Sequence, residues 1–316
     1  MTEEAQPIFI VAGPTASGKS ALALAIAEAF SGVVINADSM QVYRELRILT
    51  ARPSPADETR VPHRLYGVLP AAERCSAGRW REMAVAEIAA AHDARRLPIV
   101  CGGTGLYLKT LTEGLSAIPD VPAATRRRLA ARLADEGAPA LHDELGTLDP
   151  ETAARIAPND SQRILRALEV LEATGRPLTH WQTQPGTAMR GVRIFTILVL
   201  PPRDALYAAC DRRLAAMVEA GALDEVRRLT AMRLDPTLPA MKALGVREFA
   251  AHLAGNCDLE AALSAARQAT RRYAKRQMTW FRHQIVAELT LPAQYSKSLL
   301  PETFAFIRPK LLTRAG

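Results

Sequence analysis

The chain has 316 residues, 48% hydrophobic and 23% charged, which suits one large α/β domain or a domain with an insertion and excludes a disordered chain. A formal charge of +7 favours an anionic partner, either nucleic acid or a phosphorylated small molecule. Residues 8–12, IFIVA, read as a buried parallel strand that runs into GPTASGKS at 13–20. That octet has the spacing G-x-x-x-x-G-K-[ST]. A strand, a Gly-rich turn and a helix aim backbone N–H groups at one anion, Lys19 adds a full positive charge, and Ser20 is placed to ligate Mg²⁺. The phosphate-holding set is therefore Gly13, Pro14, Thr15, Ala16, Ser17, Gly18, Lys19 and Ser20. The octet fixes the charge being held and leaves the molecule carrying it open.

From Lys19 to Phe30 the chain is rich in Ala and Leu and reads as a helix. VVIN at 33–36 is a second strand, followed by DSMQVY at 38–43. This short loop offers a carboxylate, a hydroxyl and an amide to a ligand; equally, Asp38 or Ser39 would cap a following helix. LPIVC at 97–101 is a third strand, with GGTGLY behind it, either a turn or a close backbone approach to a ligand with Thr104 as its polar side chain. RIFTILVLP at 193–201 is a fourth strand. Strands alternating with helices predict a doubly wound parallel sheet, in which the three loops meet beyond the carboxyl ends of the strands.

Residues 115–187 show no strand pattern. RRRLAARLADEG (126–137), TAARIA (152–157) and SQRILRALEVLEATG (161–175) all read as helical, so a helical insertion is expected at 115–187 inside an α/β core of 1–114 and 188–316. PLTHWQTQPGT at 177–187 reads as the returning linker. In the 161–175 helix, Ile164, Leu168 and Leu171 form a core face, while Arg163 and Arg166 either solvate the other side or pair with Glu169 and Glu172. The stretch from 264 to 283, SAARQATRRYAKRQMTWFRH, carries six Lys or Arg and no Asp or Glu. Arg267, Arg271 and Lys275 stack one turn apart, with Arg272 and Arg276 beside them. Like charges at that spacing destabilise a helix, so the face calls for an anion or simply for solvent.

Cys75, Cys101, Cys210 and Cys257 form no C-x-x-C pair, which argues against a zinc site and fits a reducing cytosol. The acidic start, Met1 to Glu4, lacks the basic region of a signal peptide, and no stretch has the ~18 apolar residues of a membrane span. A soluble, cytoplasmic protein that meets no membrane is expected.

GPTASGKS, NADSMQVY, GGTGLYL, NDSQRILRALEVLEATG and TRRYAKRQMTWFR occur in this order. With them the chain resembles the bacterial tRNA dimethylallyltransferases, also called tRNA isopentenyltransferases, from about residue 8 to 285. The resemblance implies transfer of a dimethylallyl group from dimethylallyl diphosphate to N6 of adenosine 37, beside the tRNA anticodon, with Mg²⁺ as cofactor. It implies that Thr15 to Ser20 hold the donor diphosphate, with Lys19 on its oxygens and Ser20 towards the metal. Asp38 would be the general base, Thr104 would line the channel, and Arg213 would reach the diphosphate. Ser39, Met40, Gln41, Arg126, Gln162, Arg163, Ile164, Leu165 and Arg166 would contact the tRNA, and the helical insertion would clasp its anticodon stem-loop. The basic face of Arg271, Arg272, Lys275 and Arg276 would bind phosphates. A monomer is expected. Two departures stand out: LTARP at 49–53 where the family usually reads close to GTAKP, and LGVRE at 244–248, with Val246 in place of a tyrosine. Two other readings remain: a P-loop kinase of a small molecule or nucleoside, with the helical insertion as its lid, and a non-catalytic RNA-binding protein with a vestigial phosphate loop.

Overall fold

The computed structural model describes residues 5–116, 118–184 and 186–312. Six parallel strands form one sheet: β1 (Gln6–Ala12), β2 (Gly32–Asn36), β3 (His63–Arg64), β4 (Leu97–Gly102), β5 (Val192–Val199) and β6 (Leu289–Leu291), in the spatial order β3-β2-β4-β1-β5-β6. The four long strands are those that the apolar runs predict. The edge strands β3 and β6, of two and three residues, carry no readable pattern and pair because their neighbours present open edges.

Strand periodicity sorts the core into two layers. Ile8, Ile10 and Ala12 of β1 face one layer together with Ile35, Val100 and Leu198. Phe9 and Val11 face the other, with Val34, Ile99, Cys101, Ile197 and Val199. The second layer is closed by the helices Lys19–Ala29 and Leu300–Leu312, through Leu22, Ile26 and Ile307. The first is thicker and takes in Trp80, Phe249 and Phe281 from the helices Ala77–Asp93, Val246–Leu253 and Leu259–Gln284.

Contacts divide the chain into two compact units, one formed by residues up to Thr112 with those from Met189 onward, the other by Glu113–Ala188. The second unit has a core of its own, built from Leu129, Leu141, Leu145, Ile164, Leu168 and Leu178. Asp160 caps its helix Ser161–Thr174 by accepting from the Arg163 N–H at 3.2 Å. The expected return linker instead contains the helix Leu178–Gln182, whose Leu178 and Trp181 pack into that core; Pro185 of that stretch lies outside the described residues.

No helix follows β2 directly, so Asp38 and Ser39 cap nothing; the next helix is Pro55–Arg60. The long loop between is pinned by Glu225, a buried carboxylate on the helix Ala222–Ala231. Its two oxygens accept the N–H groups of Arg47 and Ile48 at 2.8 Å and of Leu49 at 2.9 Å. Removing the carboxylate strands three N–H donors, at about 1–3 kcal/mol for each one left buried. E225A should therefore lower the unfolding free energy by roughly 3 kcal/mol in urea titrations, and E225Q, which keeps one acceptor oxygen, by less.

Candidate active site

β2, β4 and β1 are adjacent, and the register sets Asn36 beside Cys101 and Ala12 beside Gly102. Their carboxyl ends are level, so the loops at 13–20, 37–43 and 102–104 leave the sheet at one edge. Gly102 permits the approach: a Cβ there would stand 2.1 Å from the Ala37 carbonyl oxygen. Ala37 donates to the Cys101 carbonyl and its own carbonyl receives the Thr104 N–H, at 2.8 and 3.2 Å. The Thr104 hydroxyl accepts the Ser39 N–H at 2.9 Å and donates to the Ser39 hydroxyl at 3.3 Å.

Asn36, fully buried, locks the acidic loop. Its amide donates to the carbonyls of Asp38 and Leu65, both at 3.0 Å, and its oxygen accepts the Asp38 N–H at 2.8 Å. The Asp38 carboxylate receives the Met40 N–H on one oxygen, at 2.9 Å; the other oxygen has no hydrogen-bond partner among the described residues. It therefore retains capacity to accept a proton or a hydrogen bond.

Two cations stand over the glycine loop. Burial pulls the Lys19 ammonium below the ordinary lysine range, against the opposing pull of Cys101 and the Asp38 charge. Its Nζ donates to the Pro14 carbonyl at 3.2 Å. Burial likewise disfavours charge on the Arg213 guanidinium, which donates to the Thr15 hydroxyl. Neither cation has a carboxylate within salt-bridge distance among the described residues, and such a charge is costly until an anion joins it. No side chain caps the N-terminus of the helix Lys19–Ala29, so its first N–H groups point the same way. Burial pushes the Cys101 thiol up to about 11 and raises Cys210 as well, which keeps both sulfurs protonated and poor nucleophiles.

A cavity of about 260 Å³ opens beside these groups. Thr15, Asp38, Ser39 and Arg213 form its polar side, and Leu49, Leu214, Met217, Ala243 and Leu244 its apolar side; Met40, Thr50, Cys210, Lys242, Thr270, Tyr273 and Arg276 complete it. Residues from both departing segments, 49–53 and 244–248, thus reach the wall. Val246 itself is buried in the sheet-facing core.

The basic helix Leu259–Gln284 contributes more than charge. Gln277, buried, accepts the Thr15 N–H at 2.8 Å and donates to the Gly103 carbonyl at 2.7 Å, tying two of the three loops together. Gln277 does not stand out in sequence, because it sits inside a run whose visible signal is basic charge, and Tyr273 shows there only as one of three interleaved aromatic residues, contact or core. Gln277 is marked only as the polar residue on the face that carries Ala274, Met278 and Phe281. Arg271 is held by Asp211, and Arg267 by Glu260 at 3.4 Å, so part of the like-charge repulsion is relieved within the protein. Arg272, Lys275 and Arg276 are exposed.

In the helical unit, Gln162 and Arg163 are exposed, the latter bonded to Asp160 at 2.8 Å. Arg166 pairs with Glu169 at 3.6 Å, Arg126 approaches the same carboxylate at 4.0 Å, and Leu165 is half-buried. Ile164 is fully buried among Leu129, Leu141 and Leu168, which corrects its expected role: it has no surface to offer a nucleic acid.

The donor set near the loop, Ser20, Thr15 and Asp38, is all hard oxygen, and no group of three or more His, Cys, Asp or Glu suited to a metal occurs among the described residues. This fits a Mg²⁺ that takes most of its ligands from phosphate and water, and it does not fit a caged metal.

Residues 41–284 match the model of the IPP transferase family. The chain is 62% identical over 283 residues to a tRNA dimethylallyltransferase of Rhodospirillum centenum, covering 89% of this chain and 90% of that one. It is 55% identical to a tRNA dimethylallyltransferase of Paramagnetospirillum magneticum, covering 99% of both. Among solved structures it resembles a full-length tRNA isopentenylpyrophosphate transferase of Bacillus halodurans, with TM-score 0.68 and 32% identity over 98% of this chain and 97% of that one. It also resembles a eukaryotic dimethylallyltransferase acting on tRNA, with TM-score 0.81 and 25% identity over 98% of this chain and 80% of that one.

Lys19 holds an anion only while protonated, and its pKa is depressed. Affinity for inorganic diphosphate should therefore fall as pH rises, starting below the ordinary lysine range. Calorimetric titration across alkaline pH checks this, and K19M should remove most of the slope along with most of the binding.

Proposed function

The chain belongs to the IPP transferase family, and we propose that it transfers a dimethylallyl group from dimethylallyl diphosphate to N6 of adenosine 37 of tRNA, releasing diphosphate. The observation that carries this reading is the cavity beside the glycine loop: desolvated Arg213, with no carboxylate at salt-bridge distance, on its polar side, an apolar wall beside it, and one Asp38 carboxylate oxygen left free, with desolvated Lys19 in the adjoining loop. A prenyl diphosphate has the matching halves.

The glycine loop, Gly13 to Ser20, and Arg213 take the diphosphate. The allylic carbon–oxygen bond breaks as the carbon–nitrogen bond forms, and the electron pair leaves with the diphosphate. Lys19, Arg213 and the N–H groups at the helix start stabilise that departing charge. Leu49, Leu214, Met217 and Leu244 hold the hydrocarbon and keep water from the carbon. Adenine N6 is a weak nucleophile because its lone pair is delocalised into the ring. The free oxygen of Asp38 accepts its proton as the new bond forms. Thr104 orders Ser39 and so the acidic loop, Met40 and Tyr273 line the cavity beside it, and Gln41 ties that loop to the Thr50 and Ala51 carbonyls, from where we assign it to the tRNA side. A Mg²⁺ held by Ser20 and the phosphate oxygens would supply further charge neutralisation on the leaving group.

The acceptor base must leave its stack to reach Asp38, which costs least in a loop. Arg272, Lys275 and Arg276, with Arg271 beside them, are the phosphate contacts we assign to the catalytic unit. Arg126, Gln162, Arg163, Leu165 and Arg166 are those we assign to the helical unit, for the anticodon stem-loop. Phosphate contacts make binding steeply salt-dependent. We read the enzyme as a cytoplasmic monomer; no helix among the described residues is long and apolar enough to cross a membrane.

Incubation with unmodified tRNA, Mg²⁺ and labelled dimethylallyl diphosphate should move the label onto tRNA. ATP consumption with a small acceptor and an unlabelled tRNA would instead establish the kinase reading. D38A should bind tRNA with near-normal affinity while turnover falls by about 10²–10⁴-fold, the usual worth of a general base. Near-normal turnover in that variant would remove Asp38 from the role.

A further inference from the structure

The glycine loop is held from behind by a segment far along the chain. The Gln294 amide donates to the Ala16 carbonyl at 2.6 Å, and the Tyr295 backbone N–H donates to the Ser17 carbonyl at 3.2 Å. Tyr295 also lies directly under Gly18, where a Cβ would stand 2.5 Å from the Tyr295 Cβ. The loop needs such support because two of its residues, Ala16 at φ 62° and Gly18 at φ 88°, are left-handed, and for Ala16 that conformation is strained.

The consequence follows from peptide geometry. In a planar trans peptide the C=O and the following N–H point opposite ways. Holding the Ala16 carbonyl turns the Ser17 N–H inward, where it meets the Pro14 carbonyl at 3.3 Å. Holding the Ser17 carbonyl turns the Gly18 N–H away from Tyr295, toward the open side of the loop. The segment is itself anchored. Tyr295 packs in the second core layer, and the helix that follows, Leu300–Leu312, sets Phe304 edge-on against Phe30 at 5.2 Å and buries Ile307 completely.

We infer that Gln294 and Tyr295 are positioning residues for the anion: a strap that presets the glycine loop in its phosphate-holding shape, without touching the donor. The inference rests on the reading of that loop as the diphosphate site. It also accounts for the close contact under Gly18 and for a segment that the sequence leaves without a role.

The test uses the full chain with Q294A and the near-isosteric Q294M, which keeps the bulk and loses the donor. Both should bind inorganic diphosphate about fivefold more weakly in calorimetry, the worth of about one hydrogen bond. Both should raise KM for dimethylallyl diphosphate by a similar factor and leave KM for tRNA unchanged. S296A, at an exposed neighbour whose hydroxyl bonds the Ser298 hydroxyl, should match the unmodified protein. Wild-type affinity in Q294M, or an equal rise in both KM values, would overturn the strap while leaving the loop's assignment standing. If the unmodified protein binds no diphosphate, the reading of the loop falls, and the strap with it.

Discussion

Positive charge drawn out of water and left without a carboxylate is the constraint around which this protein is arranged. Lys19 and Arg213 come from helices far apart in the chain, yet both lose hydration at one glycine loop. An unpaired buried charge is tolerated only where something else offsets it. Here the partial offset is the Asp38 charge nearby, and the full one is an anionic ligand. The rest of the catalytic unit serves this placement. The sheet levels three loop origins, Asn36 and Gln277 lock the loops to each other, and Glu225 anchors the segment that brings Leu49 to the cavity.

On the proposed function, the same arrangement lets a phosphate-gripping loop serve a chemistry other than phosphoryl transfer. In a kinase the gripped phosphate is the group that moves, and the acceptor must approach its phosphorus. Beside this loop lies an apolar wall of Leu49, Leu214, Met217 and Leu244, with the free carboxylate oxygen of Asp38 on the polar side. Such a cavity favours a hydrocarbon carried by the diphosphate over a sugar and base. On the proposed function, the gripped group becomes the one left behind, and its stabilised departure drives the reaction.

The basic helix shows how charge can hide architecture. As a sequence, residues 264–283 read as a charged stripe. In the fold, Phe281 is core, Trp280 is packed against it, Tyr273 lines the cavity, and Gln277 ties Thr15 to Gly103. One helix thus joins the glycine loop to the loop after β4 while its outer face stays cationic. Arg271 and Arg267 find Asp211 and Glu260, so the uncompensated charge is smaller than the sequence implies.

What the sequence determined by itself was local. Short apolar runs marked the four long strands and the glycine octet marked the anion loop, because each is set by neighbours in the chain. The edge strands β3 and β6 were silent, since two or three residues carry no period and pair only where a sheet edge is available. The helix Leu178–Gln182 was missed because its short polar sequence is held by packing of Leu178 and Trp181. Ile164 belonged to a core stripe, and burial removed it from the contact surface that its neighbours retain. The apolar wall, the Asn36 and Gln277 locks and the support from Gln294 and Tyr295 were decided only by tertiary structure. Each joins residues tens to hundreds of positions apart, and no spacing along the chain encodes a meeting that folding alone brings about.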